Sequence, residues 1–176
     1  VGRAFGATEP TINLILGRPT KSSIAISALA AEKLKAYIEY GYSKTRYTGK
    51  SQVISIEPGN PAIFEISGLK SNARVYYRVQ YMTSTGTTFS PTKQYSFATT
   101  RNKNTSFSFS VQGDTHPERA GKMFNADLYS VTMANILSQQ PDFHILLGDD
   151  FSIDPLIDKG QANQANVEKI YSTHRN

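Results

Sequence analysis

No cysteine occurs anywhere in the chain, which excludes disulfides, thiolate metal sites and cysteine nucleophiles together. There is also no run of about 18 apolar residues, so no helical membrane span is expected. Aspartate and histidine are missing from the first 113 residues. All seven Asp (114, 127, 142, 149, 150, 154, 158) and all three His (116, 144, 174) lie beyond them. Imidazole ligation and aspartate acid-base work are thereby confined to the final part of the chain. The opening Val1-Gly2-Arg3 lacks both an initiator Met and a hydrophobic leader. A processed or trimmed amino terminus accounts for this, and a removed secretion signal is one version. The expected location is therefore secreted, periplasmic or at the cell surface.

What is present fits a folded chain. A length of 176 residues holds one large domain or two small ones, and 39% apolar residues are ordinary for a globular protein. The net charge of +5 hides an asymmetry. Residues 1–104 carry 14 Lys plus Arg against 5 Glu, whereas residues 105–176 carry 5 against 9 acidic residues. The basic residues of the first part are scattered over strand-like positions and form no run. They read as a solvated sheet surface, and no specific nucleic-acid partner is expected.

The first part reads as β throughout. Thr11 to Leu14 opens an alternating run that ends at Gly17-Arg18-Pro19. Ile24 and Ile26 alternate with small polar residues, and Leu34, Ala36, Ile38 and Tyr40 share one parity. Gln52 to Ile56 stops at Pro58-Gly59-Asn60-Pro61, a dense turn signal. Ile63 to Ile66 follows, and then Val75, Tyr77, Val79 and Tyr81 fall on a single face. Gln94 to Phe97 is the last strand. About seven short strands with regular turn signals predict an antiparallel sandwich, because each apolar face must close on another. The segment Ile66-Ser-Gly-Leu69-Lys-Ser-Asn-Ala-Arg-Val-Tyr76-Tyr77 resembles the corner before strand F of fibronectin type III modules. That resemblance covers roughly residues 10–100 and implies that Leu69 and Tyr76 or Tyr77 tie the two sheets together. These tyrosines are expected in the core and corner rather than against a ligand.

Residues 101–105 read as a linker, and the pattern then changes. Phe107, Phe109 and Val111 alternate as a strand. Residues 121–139 carry Phe124, Leu128, Val131, Ile136 and Leu137 near helical spacing, stopped by Gln139-Gln140-Pro141. Phe143 to Leu147 is almost continuously apolar, as for a parallel strand covered on both faces. A further helix is expected near 160–173. The whole predicts a two-domain chain: a sandwich over 10–100, a linker over 101–105, and over 106–176 a βαβ unit that opens a larger α/β domain. Two strands alone do not make a closed α/β sheet.

Each of these strands ends in glycine and then carboxylate: Gln112-Gly113-Asp114-Thr115-His116 and Gly148-Asp149-Asp150. Ligands of open α/β sheets lie at the carboxyl ends of the strands. Asp and His at such an edge suit a divalent metal. With Asp114 and His116 two apart on an extended segment, a carboxylate and an imidazole would point the same way. The order, spacing and strand context resemble the first two motifs, Asp-x-His and Gly-Asp, of the calcineurin-like metallophosphoesterases. A sandwich ahead of that domain is similar to the organisation of purple acid phosphatases.

The resemblance implies a metal-dependent phosphohydrolase acting on phosphate mono- or diesters. It implies Asp114 and His116 as ligands of a first metal and Asp149 as the bridge to a second. The metal pair would supply hydroxide at neutral pH and clamp the phosphate oxygens. The family's later motifs, an Asn-His pair and further histidines, are absent, so this chain is expected to carry part of a site and to turn over little. Purple acid phosphatases have Gly where this chain has His116 and a Tyr where it has Ser152, so their purple iron site is not expected, and Zn, Mn and Fe all suit the ligands.

Other readings stand beside these. Asp114 and His116 could form a turn capping a helix near residue 118, and Gly148-Asp149-Asp150 could be a plain strand-ending turn. Asp150, Ser152 and His144 are candidates to stand behind the ligands, with His144 otherwise a core histidine. Asp154 and Asp158 read as solvated or supporting, and Glu118 and Arg119 either cap the turn or reach phosphate. A calcium loop starting at Asp149 is excluded by Phe151 and Ile153 at its third and fifth positions. The competing function is a non-catalytic fibronectin type III-like interaction module joined to an inactive phosphoesterase remnant.

Overall fold

The computed structural model describes residues 10–175, apart from the side chain of His174; the amino-terminal residues 1–9 and Asn176 lie outside the described residues. The chain divides into two compact units, the first ending at Thr105 and the second beginning at Ser106.

The first unit holds two antiparallel sheets. One is β1 (Ile12–Gly17), β2 (Ile24–Ala30) and β6 (Ala62–Ile66), with β2 in the middle. The other is built on β3 (Leu34–Gly41) and β7 (Arg74–Thr83), paired from Leu34 opposite Thr83 to Gly41 opposite Tyr76. β4 (Gly49–Lys50) and β5 (Ile54–Ile56) pair with β3, and β8 (Ser90–Pro91) and β9 (Tyr95–Ala98) with β7. Period two puts one parity of each strand inside. Ile26 and Ala28, Leu34, Ala36 and Ile38, Phe64 and Ile66, and Val75, Tyr77 and Val79 form one apolar core. Each fully buried Leu, Ile or Phe contributes about 1.5–3 kcal/mol.

The corner before β7 is tied to both sheets through backbone donors. Leu69 N–H donates to the Ser22 carbonyl at 2.9 Å, and Lys70 N–H donates to the Tyr42 hydroxyl at 2.9 Å. Leu69 and Tyr77 are buried. The phenol that bonds the corner backbone is thus Tyr42, from the end of β3, while Tyr77 fills the core against the rings of Tyr95 and Phe97.

The second unit begins with a parallel pair, β10 (Phe109–Gln112) and β11 (Phe143–Leu146), in register from Phe109 opposite Phe143 to Gln112 opposite Leu146. The connecting helix α1 (Ala126–Gln139) makes this a βαβ unit. It starts five residues later than hydrophobic spacing predicts. Gly121 takes a left-handed φ of 78°, and Asn125 caps the helix, its Oδ1 accepting from Leu128 N–H at 3.0 Å. Phe124, just before the cap, packs against Tyr129 with ring centroids 5.4 Å apart and the rings tilted, a hydrophobic staple that continues the apolar period outside the helix. The stop at Gln140-Pro141 lies where the sequence puts it. A short helix α2 (Asp154–Asp158), not foreseen, and α3 (Gln164–Arg175) complete the unit. No helix among the described residues is long and apolar enough to cross a membrane.

One expectation is corrected. β11 is not covered on both faces: all four of its residues are exposed, Leu146 by 50%. A strand is enclosed only when layers lie on both sides of a sheet with neighbours at both edges, and a two-stranded ribbon with one connecting helix cannot supply them. Phe143 instead stacks on both Phe107 and Phe109, and all three rings are exposed.

Candidate metal centre

Parallel register brings the carboxyl ends of β10 and β11 side by side, and the two loops beyond them stay joined. Leu147 N–H donates to the Gln112 carbonyl at 2.8 Å and His116 N–H to the Asp150 carbonyl at 2.9 Å. The Thr115 hydroxyl donates to the same Asp150 carbonyl at 3.0 Å. Backbone pairing thus holds residues 114–116 against residues 148–150.

The side chains do not converge by strand parity, as the sequence suggested. Asp114, His116 and Asp149 all have left-handed φ, of 56°, 46° and 53°. Asp and His are enriched in this region among residues with a Cβ, at a cost of about 1–2 kcal/mol each. Gly148, at φ 93°, reverses the chain just before Asp149. Left-handed turns rather than extended backbone aim the three groups.

They are aimed at one another. One ligand atom from each of Asp114, His116 and Asp149 lies within 4.8 Å of the other two. His116 Nε2 stands 3.6 Å from Asp149 Oδ1, beyond hydrogen-bond range. Two donors of one tetrahedral ion at about 2.0–2.2 Å stand about 3.3–3.6 Å apart, a spacing that His116 Nε2 and Asp149 Oδ1 already have. The imidazole is buried and both carboxylates are exposed. His116 is a wall of the site, and the acids form its open lip.

The other ring nitrogen is held by Glu118, which the sequence reading treated as a capping or phosphate-reaching residue. Glu118 lies on the 3-10 turn Pro117–Arg119, against which α3 packs. Its side chain is largely enclosed, 10% exposed, and Oε1 lies 2.8 Å from His116 Nδ1. The same oxygen accepts from Ser152 N–H at 3.0 Å. Burial pushes the Glu118 carboxyl up, but the hydrogen bonds from His116 and from the backbone at 118 and 152, with the charge of His116, outweigh it and leave that carboxyl below its usual value. An ionised carboxylate only accepts, so His116 Nδ1 carries a proton, and in the neutral form of the ring Nε2 keeps its lone pair on the side of Asp149. Metal-ligating histidines characteristically give their second N–H to a carboxylate in this way. The donor set, two carboxylates and an imidazole of fixed tautomer, fits Zn, Mn or Fe.

The remaining candidates stand outside the three-residue group. Asp150 contributes its carbonyl to the loop pairing, and its Oδ1 accepts from the Thr115 hydroxyl at 3.4 Å. The Ser152 hydroxyl accepts from Asp154 N–H at 3.1 Å at the start of α2. His144 is exposed on β11, not in a core, with Nδ1 2.8 Å from the Ser110 hydroxyl, outside the three-residue group. Arg119 turns to Glu118 and to the Met123 sulfur. His116 makes no side-chain cap to the turn that follows it. The missed role of Glu118 lay partly in its neighbour His116, two residues away, and partly in Ser152, 34 residues away, which the sequence does not place beside it.

No family model matches the chain, and no curated protein matches it in sequence. Among solved structures it is similar to purple acid phosphatase PPD1 from yellow lupin (Lupinus luteus) seeds, with a TM-score of 0.60 and 15% identity, over 90% of this chain and 33% of that one. It is similar to PhoD, with a TM-score of 0.50 and 14% identity, over 79% of this chain and 27% of that one. An fn3 domain of human collagen alpha-1(XX) chain, 18% identical, matches 60% of this chain and 96% of its own at a TM-score of 0.40. At these identities the likeness to the first two is one of fold, and the chain spans about a quarter to a third of their length.

Proposed function

We infer that the second unit is the opening part of a metal-dependent phosphohydrolase domain, acting on phosphate mono- or diesters. One observation carries the reading. At the adjoining ends of two parallel strands, His116 Nε2 lies 3.6 Å from Asp149 Oδ1, with one Asp114 carboxylate oxygen in the same group of ligand atoms, all within 4.8 Å of one another. The motif resemblance and the fold likeness to a purple acid phosphatase support the same assignment.

In this reading Asp114 and His116 hold the first ion, and Asp149 holds it and a second. Such ions, when bound, lower the pKa of water and neutralise charge on phosphoryl oxygens. The protein's part is to supply two negative groups on the open side, where an ester can approach, and a neutral nitrogen at the back.

Hydrolysis of a chromogenic phosphate monoester and diester, with Mn2+ or Zn2+ added to the chain, tests the proposal. Slow release that needs the metal and disappears in Asp149→Asn is expected. Release that continues in EDTA, or that Asp149→Asn leaves unchanged, overturns it.

A further inference from the structure

Glu118 Oε1 touches both loops of the site at once. It accepts from His116 Nδ1 in the loop after β10, at 2.8 Å, and from Ser152 N–H in the loop after β11, at 3.0 Å. The other oxygen, Oε2, is buried and has no hydrogen-bond partner among the described residues. A turn on the surface of a small unit gains little from enclosing a carboxylate with one idle oxygen. The arrangement makes sense if the carboxylate serves the imidazole. Neutral histidine in water occupies both tautomers, and only the form with its proton on Nδ1 can offer Nε2 to a cation. A rotation of the ring would also remove Nε2 from its place 3.6 Å from Asp149.

We propose that Glu118 is the positioning residue of this site: its carboxylate fixes the tautomer and ring orientation of His116 and staples the two ligand-bearing loops together through Ser152. The proposal rests on the phosphohydrolase reading for the ion that is bound, whereas the tautomer and the staple belong to the metal-free protein. Glu118 supplies no ligand of its own and acts through His116.

Nitrogen-15 NMR of the full chain, free of metal at about pH 8.5 where an ordinary histidine is neutral, reads the tautomer directly. His116 is expected on the Nδ1–H form in the parent and in Glu118→Gln, which keeps an acceptor oxygen. It is expected as a mixture, or as the Nε2–H form, in Glu118→Ala. Titration with Zn2+ alone should then show affinity falling about 10–100-fold in Glu118→Ala and about tenfold in Glu118→Gln, which loses the charge. An Nε2–H form in the parent, or affinities of both variants within about threefold of the parent, overturns the proposal. If Glu118→Ala does not fold, Glu118→Gln decides alone: a tenfold loss with the tautomer kept supports the role, and unchanged affinity overturns it. A parent that holds the Nδ1–H form but binds no Zn2+ sinks the phosphohydrolase reading and supports the positioning role. Tight Zn2+ binding with an Nε2–H form does the reverse.

Discussion

Asp149 keeps its side chain 72% exposed while its backbone sits in the left-handed region. A residue with so little packing and a strained φ adds little to the fold through its side chain. Asp149→Gly removes the strain and should leave stability within about 1 kcal/mol of the parent or above it, since the left-handed penalty of about 1–2 kcal/mol offsets the flexibility gained by the unfolded chain. Urea unfolding measures this, and a larger loss would show the side chain holding the loop. Tyr77 is the opposite case. Burial first, and then the neighbouring Tyr95 phenol, push its ionisation well above the usual phenol range. The folded value lies above the unfolded one, so its stabilising effect is complete below about pH 10 and is lost as pH rises beyond that. Melting temperatures taken from about pH 8 to 11.5 should fall at the alkaline end, and Tyr77→Phe should flatten the fall. An identical fall in the variant would contradict the assignment.

At the scale of elements, the turn signals and periods of the sequence position most strands, because alternation writes burial directly into side-chain type. Leu34, Ala36 and Ile38, and Val75, Tyr77 and Val79, are buried on the faces their parity predicts. The start of α1 was less legible. Phe124 continues the apolar period but belongs to a staple, and the boundary is set by Asn125. Asn125→Ala should cost about 1 kcal/mol in urea unfolding through loss of the cap, and no change would mean that the staple alone fixes the helix start. Burial of β11 was misread for a related reason. An apolar run shows what a strand can bury, while whether it is buried depends on layers that the run does not encode.

For the whole molecule, two glycine-acid signals and the confinement of Asp and His to the second part pointed to the residues that the fold brings together. They did not show how the groups meet, because left-handed turns at residues 114, 116 and 149 and a largely enclosed Glu118 arise from pairing between distant loops. The account stands on the convergence of Asp114, His116 and Asp149. Calorimetric titration of the metal-free chain with Zn2+, beside His116→Ala and Asp149→Asn, tests that convergence most directly. The prediction is saturable binding by the parent that weakens by more than about a hundredfold in either variant, beyond the range seen when only a supporting group is lost. Binding that survives both substitutions, or a parent that binds nothing, would contradict it.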